Sequence, residues 1–169
     1  MNVETSGQEF VVSRLVDARR ERVWRAFTEP EHLKEWWPPQ TFTMIAMNMD
    51  FRAGGAFHCG MRSHEGYKMW AKFVYREIAP PERIVFVNAF ANEAGELKRH
   101  PIIPTWPMET VTAIALEDEP GDKTKITVHW WPHNATDIER KTFDMSHVGM
   151  KAIWASTFDR LAAHLAKVA

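Results

Sequence analysis

The spacing of apolar positions changes twice along the chain. Residues 9–17, EFVVSRLVD, are rich in β-branched side chains and read as a strand. From Arg19 to Phe27 the apolar residues Val23, Trp24 and Phe27 recur at helical spacing. Thr28-x-x-Glu31 has the form of a capping box, and Pro30 then falls in a first helical turn, where a missing N–H does no harm. Leu33, Trp36 and Trp37 share one face of this second helix, and Pro38-Pro39 stops it.

From residue 41 to 131 the period becomes two. Ile45, Met47, Met49 and Phe51 alternate with Ala46, Asn48, Asp50 and Arg52. After a turn at Gly54-Gly55, Phe57, Cys59 and Met61 alternate with His58, Gly60 and Arg62. Strands are expected from about Tyr67 to Ile78, Ile84 to Phe90, 108–117 and 123–131, with a long Pro-rich connection over 91–107. Serial strands with short turns form an antiparallel meander. The helical period then returns. Thr136-x-x-Glu139 is a second capping-box pattern, and one helix is expected from there to Lys167. Met150, Trp154, Phe158, Leu161, Leu165 and Val168 form its apolar stripe, with Gly149 as a kink or a point of close approach. The fold class is α+β: a strongly curved antiparallel sheet wrapped around a long C-terminal helix, with two short helices after the first strand. A single domain is expected over 1–169, with its core at 8–168 and a flexible start at 1–7.

Composition narrows the function. The chain has 169 residues and a net charge of −1, which argues against nucleic acid as partner. Its one cysteine, Cys59, excludes an internal disulfide and favours a reducing compartment, so the cytoplasm is expected. The N-terminus, MNVETSGQEF, has no apolar signal region, and no apolar run is long enough for membrane insertion.

Particular segments carry a resemblance. The order of elements is similar to the helix-grip fold of the START-like, or SRPBCC, superfamily. "SRLVDARRERVWRAFTEPEHLKEWWPP", "FRAGGAFHCGMRS", "VYREIAPPERIVF" and "DKTKITVHW" resemble the family named for the activator of heat-shock protein 90 ATPase, in its single-domain bacterial branch. "RHPIIPTWPMETV" and the segment from Pro132 to Ala166 resemble one subset of that branch, so the likeness runs over residues 9–167. It implies a cavity between sheet and C-terminal helix. In that superfamily such cavities hold hydrophobic small molecules, and some members are polyketide cyclases. The chaperone activators carry an additional N-terminal domain, and this chain is expected to lack it. Two departures stand out: Ile153-Trp154 where the family usually has Gly-Trp, and Trp36-Trp37-Pro38-Pro39 where it usually has Trp-Trp-Gly-Pro.

The candidate cavity lining is Trp36, Phe57, Cys59, Met61, Trp70, Phe86, Trp106, Trp130, Met150 and Trp154. Ligand sites are mostly apolar with a few placed polar groups. Each of these residues, taken singly, reads more readily as ordinary core, and the resemblance is what favours a cavity for the set; a slip of one in register reverses every strand face. Of the pair Trp36 and Trp37, one is expected in the interior and the other at the cavity rim. His58 and Cys59 are adjacent in a strand, so they point to opposite faces and cannot form a catalytic pair. Asp50, Glu77, Glu109 and His129 are candidate acids or bases if any faces inward. No metal spacing is present: Trp-Trp-Pro separates His129 from His133, and Asp144 with His147 reads as a local helix pair.

The expected function is binding of a small hydrophobic or aromatic molecule, with no cofactor. The alternatives are a cofactor-independent cyclase or hydrolase in the same cavity, and a chaperone-related or stress-response interaction module. A heat-shock chaperone is the partner the last reading implies, and a homodimer is compatible with an exposed sheet edge.

Overall fold

The computed structural model describes residues 9–168, so the expectation for 1–7 lies outside the described residues. Strand β1 (Phe10–Val16) leads into helices α1 (Arg20–Thr28) and α2 (Pro30–Trp36). The meander follows as β2 (Phe42–Met49), β3 (Ala56–Ser63), β4 (Lys68–Ala79), β5 (Arg83–Ala91), the short β6 (Leu97–Lys98), β7 (Glu109–Glu119) and β8 (Lys123–His133). Helices α3 (Asp137–Met145) and α4 (His147–Lys167) complete the chain. The strands form one sheet in the order β1-β8-β7-β5-β4-β3-β2, with β6 paired to β5 and every pairing antiparallel. The expected α+β architecture is the observed one.

Alternation sets the faces. On β3, Phe57 and Cys59 are buried in the main core, while His58 lies on the opposite face and stacks on Trp70 with ring centroids 5.1 Å apart. The register pairs Gly60 with Trp70, and a Cβ on Gly60 would stand 2.7 Å from the Trp70 ring. Glycine therefore makes room there for a tryptophan on the outer face. On β7 and β8, Ile114, Leu116, Ile126 and Val128 join the main core. The alternate residues Val111 and Ala113 form a small outer cluster with Val85, Val87 and Trp131.

Four local expectations change. Thr28 does not cap α2: its hydroxyl donates to the Trp24 carbonyl within α1, and Glu29 is the N-cap. A residue before proline is driven out of the helical region, and Glu29 before Pro30 is extended at φ −102°, ψ 124°. Ile45 leaves the Met47 and Met49 face, because the β2 register shifts between Met44 and Ala46 and puts Met44 opposite Met61. The long connection over 91–107 contains β6, which returns onto β5. The single C-terminal helix breaks at Ser146, whose φ of −95° and ψ of 1° separate α3 from α4. The Thr136 box forms in full, with Glu139 N–H donating to the threonine hydroxyl and the Glu139 carboxylate accepting from Thr136 N–H.

Candidate functional site

The C-terminal half of α4 seals one end of the interior. Phe158, Leu161 and Leu165 are buried there against α1 and α2. Polar links hold α4 to both: Arg22 of α1 donates to the Leu165 carbonyl, and two contacts reach α2. Arg160 Nε donates to the Trp36 carbonyl at 3.1 Å, and His32 Nδ1 meets His164 Nε2 at 2.8 Å. Beneath them the inward aromatic rings fill the space. Phe73 stacks on Phe86 at 4.5 Å and also meets Phe57 and Trp37.

The N-terminal half of α4 closes on much less. A cavity of about 410 Å3 lies between Ser146, Gly149, Met150 and Ile153 of this helix and the inner sheet face. Its floor includes Ala71, Phe73, Asn88, Phe90, Thr110 and Trp130. The segment between β6 and β7 supplies a lid through His100, Ile103, Trp106, Pro107 and Met108. That segment is strapped to α3. Arg99 pairs with the buried Glu139 and donates to the Trp106 carbonyl at 3.3 Å, and Thr142 donates to the Thr105 hydroxyl at 2.8 Å. Burial pushes the Glu139 carboxyl up, but Arg99 and the Thr136 amide outweigh it and leave the group below its usual value.

The hollow follows from side-chain size. Inward positions toward this end hold Ala71 on β4, Asn88 on β5 and Thr110 and Thr112 on β7. Toward the other end the same strands carry Tyr75, Phe86, Ile114 and Leu116. A Cβ added to Gly149 would meet nothing within 4 Å. The expected close approach at Gly149 is therefore absent, and the glycine leaves the mouth open. Ile153, also on this wall, is largely exposed.

Ten residues were candidates for the lining, and the structure divides them. Trp106, Trp130 and Met150 stand on the cavity wall. Trp36, Phe57, Cys59, Phe86 and Trp154 lie in the packed core, and Met61 is buried on β3 away from the wall. Trp70 is on the outer face. An inward position is necessary for lining but not sufficient, since most of these rings already touch one another. Neither member of the tryptophan pair reaches the cavity. Trp36 is fully buried and donates its Nε1 hydrogen to the Ala26 carbonyl at 2.9 Å. Trp37 is half-buried and packs edge-on against Trp36, Phe73 and Trp154.

The candidate acids and bases turn away from the cavity. Asp50 and Glu77 pair with Arg52 and Arg83 at exposed positions, and His129 meets Glu9 at 2.6 Å. Glu109 faces outward with Val111. Burial pushes the Cys59 thiol up to about 12, so it holds its proton at neutral pH. Asp144 and His147 do not pair on one helix, because the break at Ser146 intervenes. The His147 ring instead packs against Phe10 and Phe143. Among the described residues no group of three or more His, Cys, Asp or Glu converges as a metal site. None of their helices is long and apolar enough to cross a membrane.

The polar groups of the cavity were not among the candidates. Thr110 and Thr112 hydroxyls each donate to Asn88 Oδ1 at 3.0 Å. Both threonines are buried, so each hydroxyl hydrogen needs an acceptor, and the Asn88 oxygen supplies it. The amide NH2 is thereby left for the cavity. His100 Nδ1 accepts from the backbone N–H groups of Ile102 and Ile103 at 3.0 and 2.9 Å. The proton of the neutral ring is then on Nε2. Burial holds the His100 pKa below its usual value, which keeps the ring neutral. One signal was available in the sequence: Asn88 interrupts the apolar run from Ile84 to Ala91.

Comparison with known proteins supports the architecture. A Nitrosomonas europaea protein shares 23% identity and superposes with a TM-score of 0.73 over 96% of each chain. An Arthrobacter aurescens protein shares 22% identity with a TM-score of 0.77, covering 98% of this chain and 90% of its own. A Rhodobacter sphaeroides protein shares 18% identity with a TM-score of 0.75, covering 97% and 96%. At these identities the likeness establishes the fold. None of the curated proteins compared with the chain is significantly similar to it in sequence. The model of the Activator of Hsp90 ATPase homolog 1-like proteins matches residues 17–166, and the chain belongs to that family.

Proposed function

We propose that the chain binds a small hydrophobic or aromatic molecule in the cavity between the sheet and the N-terminal half of α4. The cavity itself carries this reading. Its volume of about 410 Å3 falls in the range of ligand sites, its wall is largely apolar, and few polar groups interrupt it. Folds of this family commonly bind hydrophobic ligands. The reading needs no cofactor, and a cytoplasmic location fits the single buried thiol.

Native mass spectrometry of freshly purified protein, followed by denaturing extraction, tests it. The expected result is a non-covalent adduct that is absent from the Gly149→Phe variant, in which an aromatic ring plugs the mouth. An empty protein that also fails to bind small aromatic probes would overturn it.

Binding is favoured over catalysis by the state of His100, the titratable side chain on the wall. Its basic nitrogen already accepts two backbone N–H groups, so it is poorly placed to abstract a proton. A protein-interaction role has an observation of its own. Ile102, Met145, Val148 and Ile153 are large apolar residues left exposed. Enrichment of a heat-shock chaperone on the immobilised protein, lost on Val148→Lys, is the outcome that reading requires.

A further inference from the structure

Two polar side chains on the cavity wall, Asn88 and His100, present hydrogen-bond donors, while the hydroxyl hydrogens of Ser146 and Thr110 are spent on the Thr142 carbonyl and on Asn88 Oδ1. Asn88 presents its amide NH2, because two buried threonine hydroxyls occupy its oxygen. His100 presents Nε2–H, because two backbone amides occupy Nδ1. Both side chains line the same apolar space, and no lysine or arginine lines it with them.

A pure hydrocarbon would leave these donors unsatisfied, which costs more than the average hydrogen bond contributes. A carboxylate would satisfy them but would enter a largely apolar space without a compensating cation. We propose that the site is built for a hydrophobic ligand bearing a neutral acceptor oxygen, such as the carbonyl of an aromatic ketone, held by Asn88 Nδ2 and His100 Nε2. The inference rests on the binding function proposed above and specifies its ligand class. Thr110 and Thr112 are then positioning residues. Their hydroxyls fix which end of the Asn88 amide faces the ligand.

A matched probe series tests the idea: naphthalene, 2-acetonaphthone and 2-naphthoate, titrated into the purified chain by calorimetry at pH 8. The ketone is expected to bind about tenfold tighter than naphthalene, the gain from one or two net hydrogen bonds. It is also expected to bind more tightly than the carboxylate. Asn88→Asp keeps the shape and both threonine contacts but replaces the donors with an acceptor, and it should abolish the ketone's advantage. The double change Thr110→Val with Thr112→Val should shrink the ratio of ketone to naphthalene affinity by roughly threefold to tenfold. Thermal melting of each variant separates loss of the donor from loss of the fold.

Equal affinity for ketone and naphthalene would overturn the proposal while leaving hydrophobic binding intact. So would a ketone advantage that survives Asn88→Asp in a folded variant. If naphthalene and the ketone both fail to bind and the native protein carries no adduct, the binding function itself fails, and this inference with it.

Discussion

The two halves of the interior share one sheet and one helix yet are built differently. Around Trp36, Phe158 and Leu161 the space is filled, with rings in contact and α4 tied to α2 by Arg160 and the His32–His164 pair. Around Met150 the same layers enclose about 410 Å3, and the cover is a loop strapped down by Arg99, Glu139 and Thr142. Phe73 belongs to both, packing on Phe86 and facing the cavity. Closing a sheet on a helix does not by itself fill the interior. Side-chain volume at the inward positions does, and here it falls from Tyr75 to Ala71 on β4, from Phe86 to Asn88 on β5 and from Ile114 to Thr110 on β7.

The contrast is sharpest under substitution. Trp36→Ala removes the largest fully buried side chain and strands the Ala26 carbonyl. It should lower stability by about 3–5 kcal/mol in chemical denaturation, with the binding proposed for the cavity little changed at 25 °C. Trp37→Ala, at a half-buried site, should cost about 2–3 kcal/mol and likewise spare the proposed binding. In the hollow half, Glu139→Ala removes both the capping box and the anchor of the strap. A loss of about 1–2 kcal/mol is expected, accompanied by faster proteolysis between residues 99 and 107. Because the folded Glu139 pKa lies below its ordinary 4.5, its contribution is present above that pH and is lost as acid titrates through the folded value. Gly149→Ala should have the opposite sign. The helix gains about 0.4–1 kcal/mol, and the added methyl finds open space.

The finest distinction is in pH. Burial, and then the neighbouring His32, hold the His164 pKa below its ordinary 6.5. In that interval the unfolded chain binds more protons, so the contribution is fully present above about pH 6.5 and declines as pH falls through the folded value. Denaturation midpoints of the wild type and His164→Gln should therefore converge on acidification. Parallel curves would show that the helix junction is insensitive to this pair.

Two similar patterns show how far sequence reaches. Thr28-x-x-Glu31 and Thr136-x-x-Glu139 read alike, yet only the second forms a capping box. The first is overridden by Pro30, which forces Glu29 into the extended region and makes it the cap. That constraint was present in the sequence and outweighs the box. Thr136→Ala should cost about 1 kcal/mol, and Thr28→Ala little. Trp70 is a different kind of miss. Alternation places it with either face, and only its pairing to Gly60 sends it outward. Asn88 and His100 escaped attention because which of their polar atoms stays free depends on what occupies the other. For Asn88 the occupying hydroxyls come from a different strand, 22 and 24 residues away.

By itself the sequence determined the order of elements, the meander and the amphipathic helix, because periods of two and 3.6 are local properties of the backbone. The matching segments also identified the family. Register, the bulge at Ile45, the break at Ser146 and the placement of the hollow were decided by the tertiary structure. Each depends on volumes and hydrogen-bond partners brought together from distant parts of the chain, and those distances exist only once the sheet has closed on its helix.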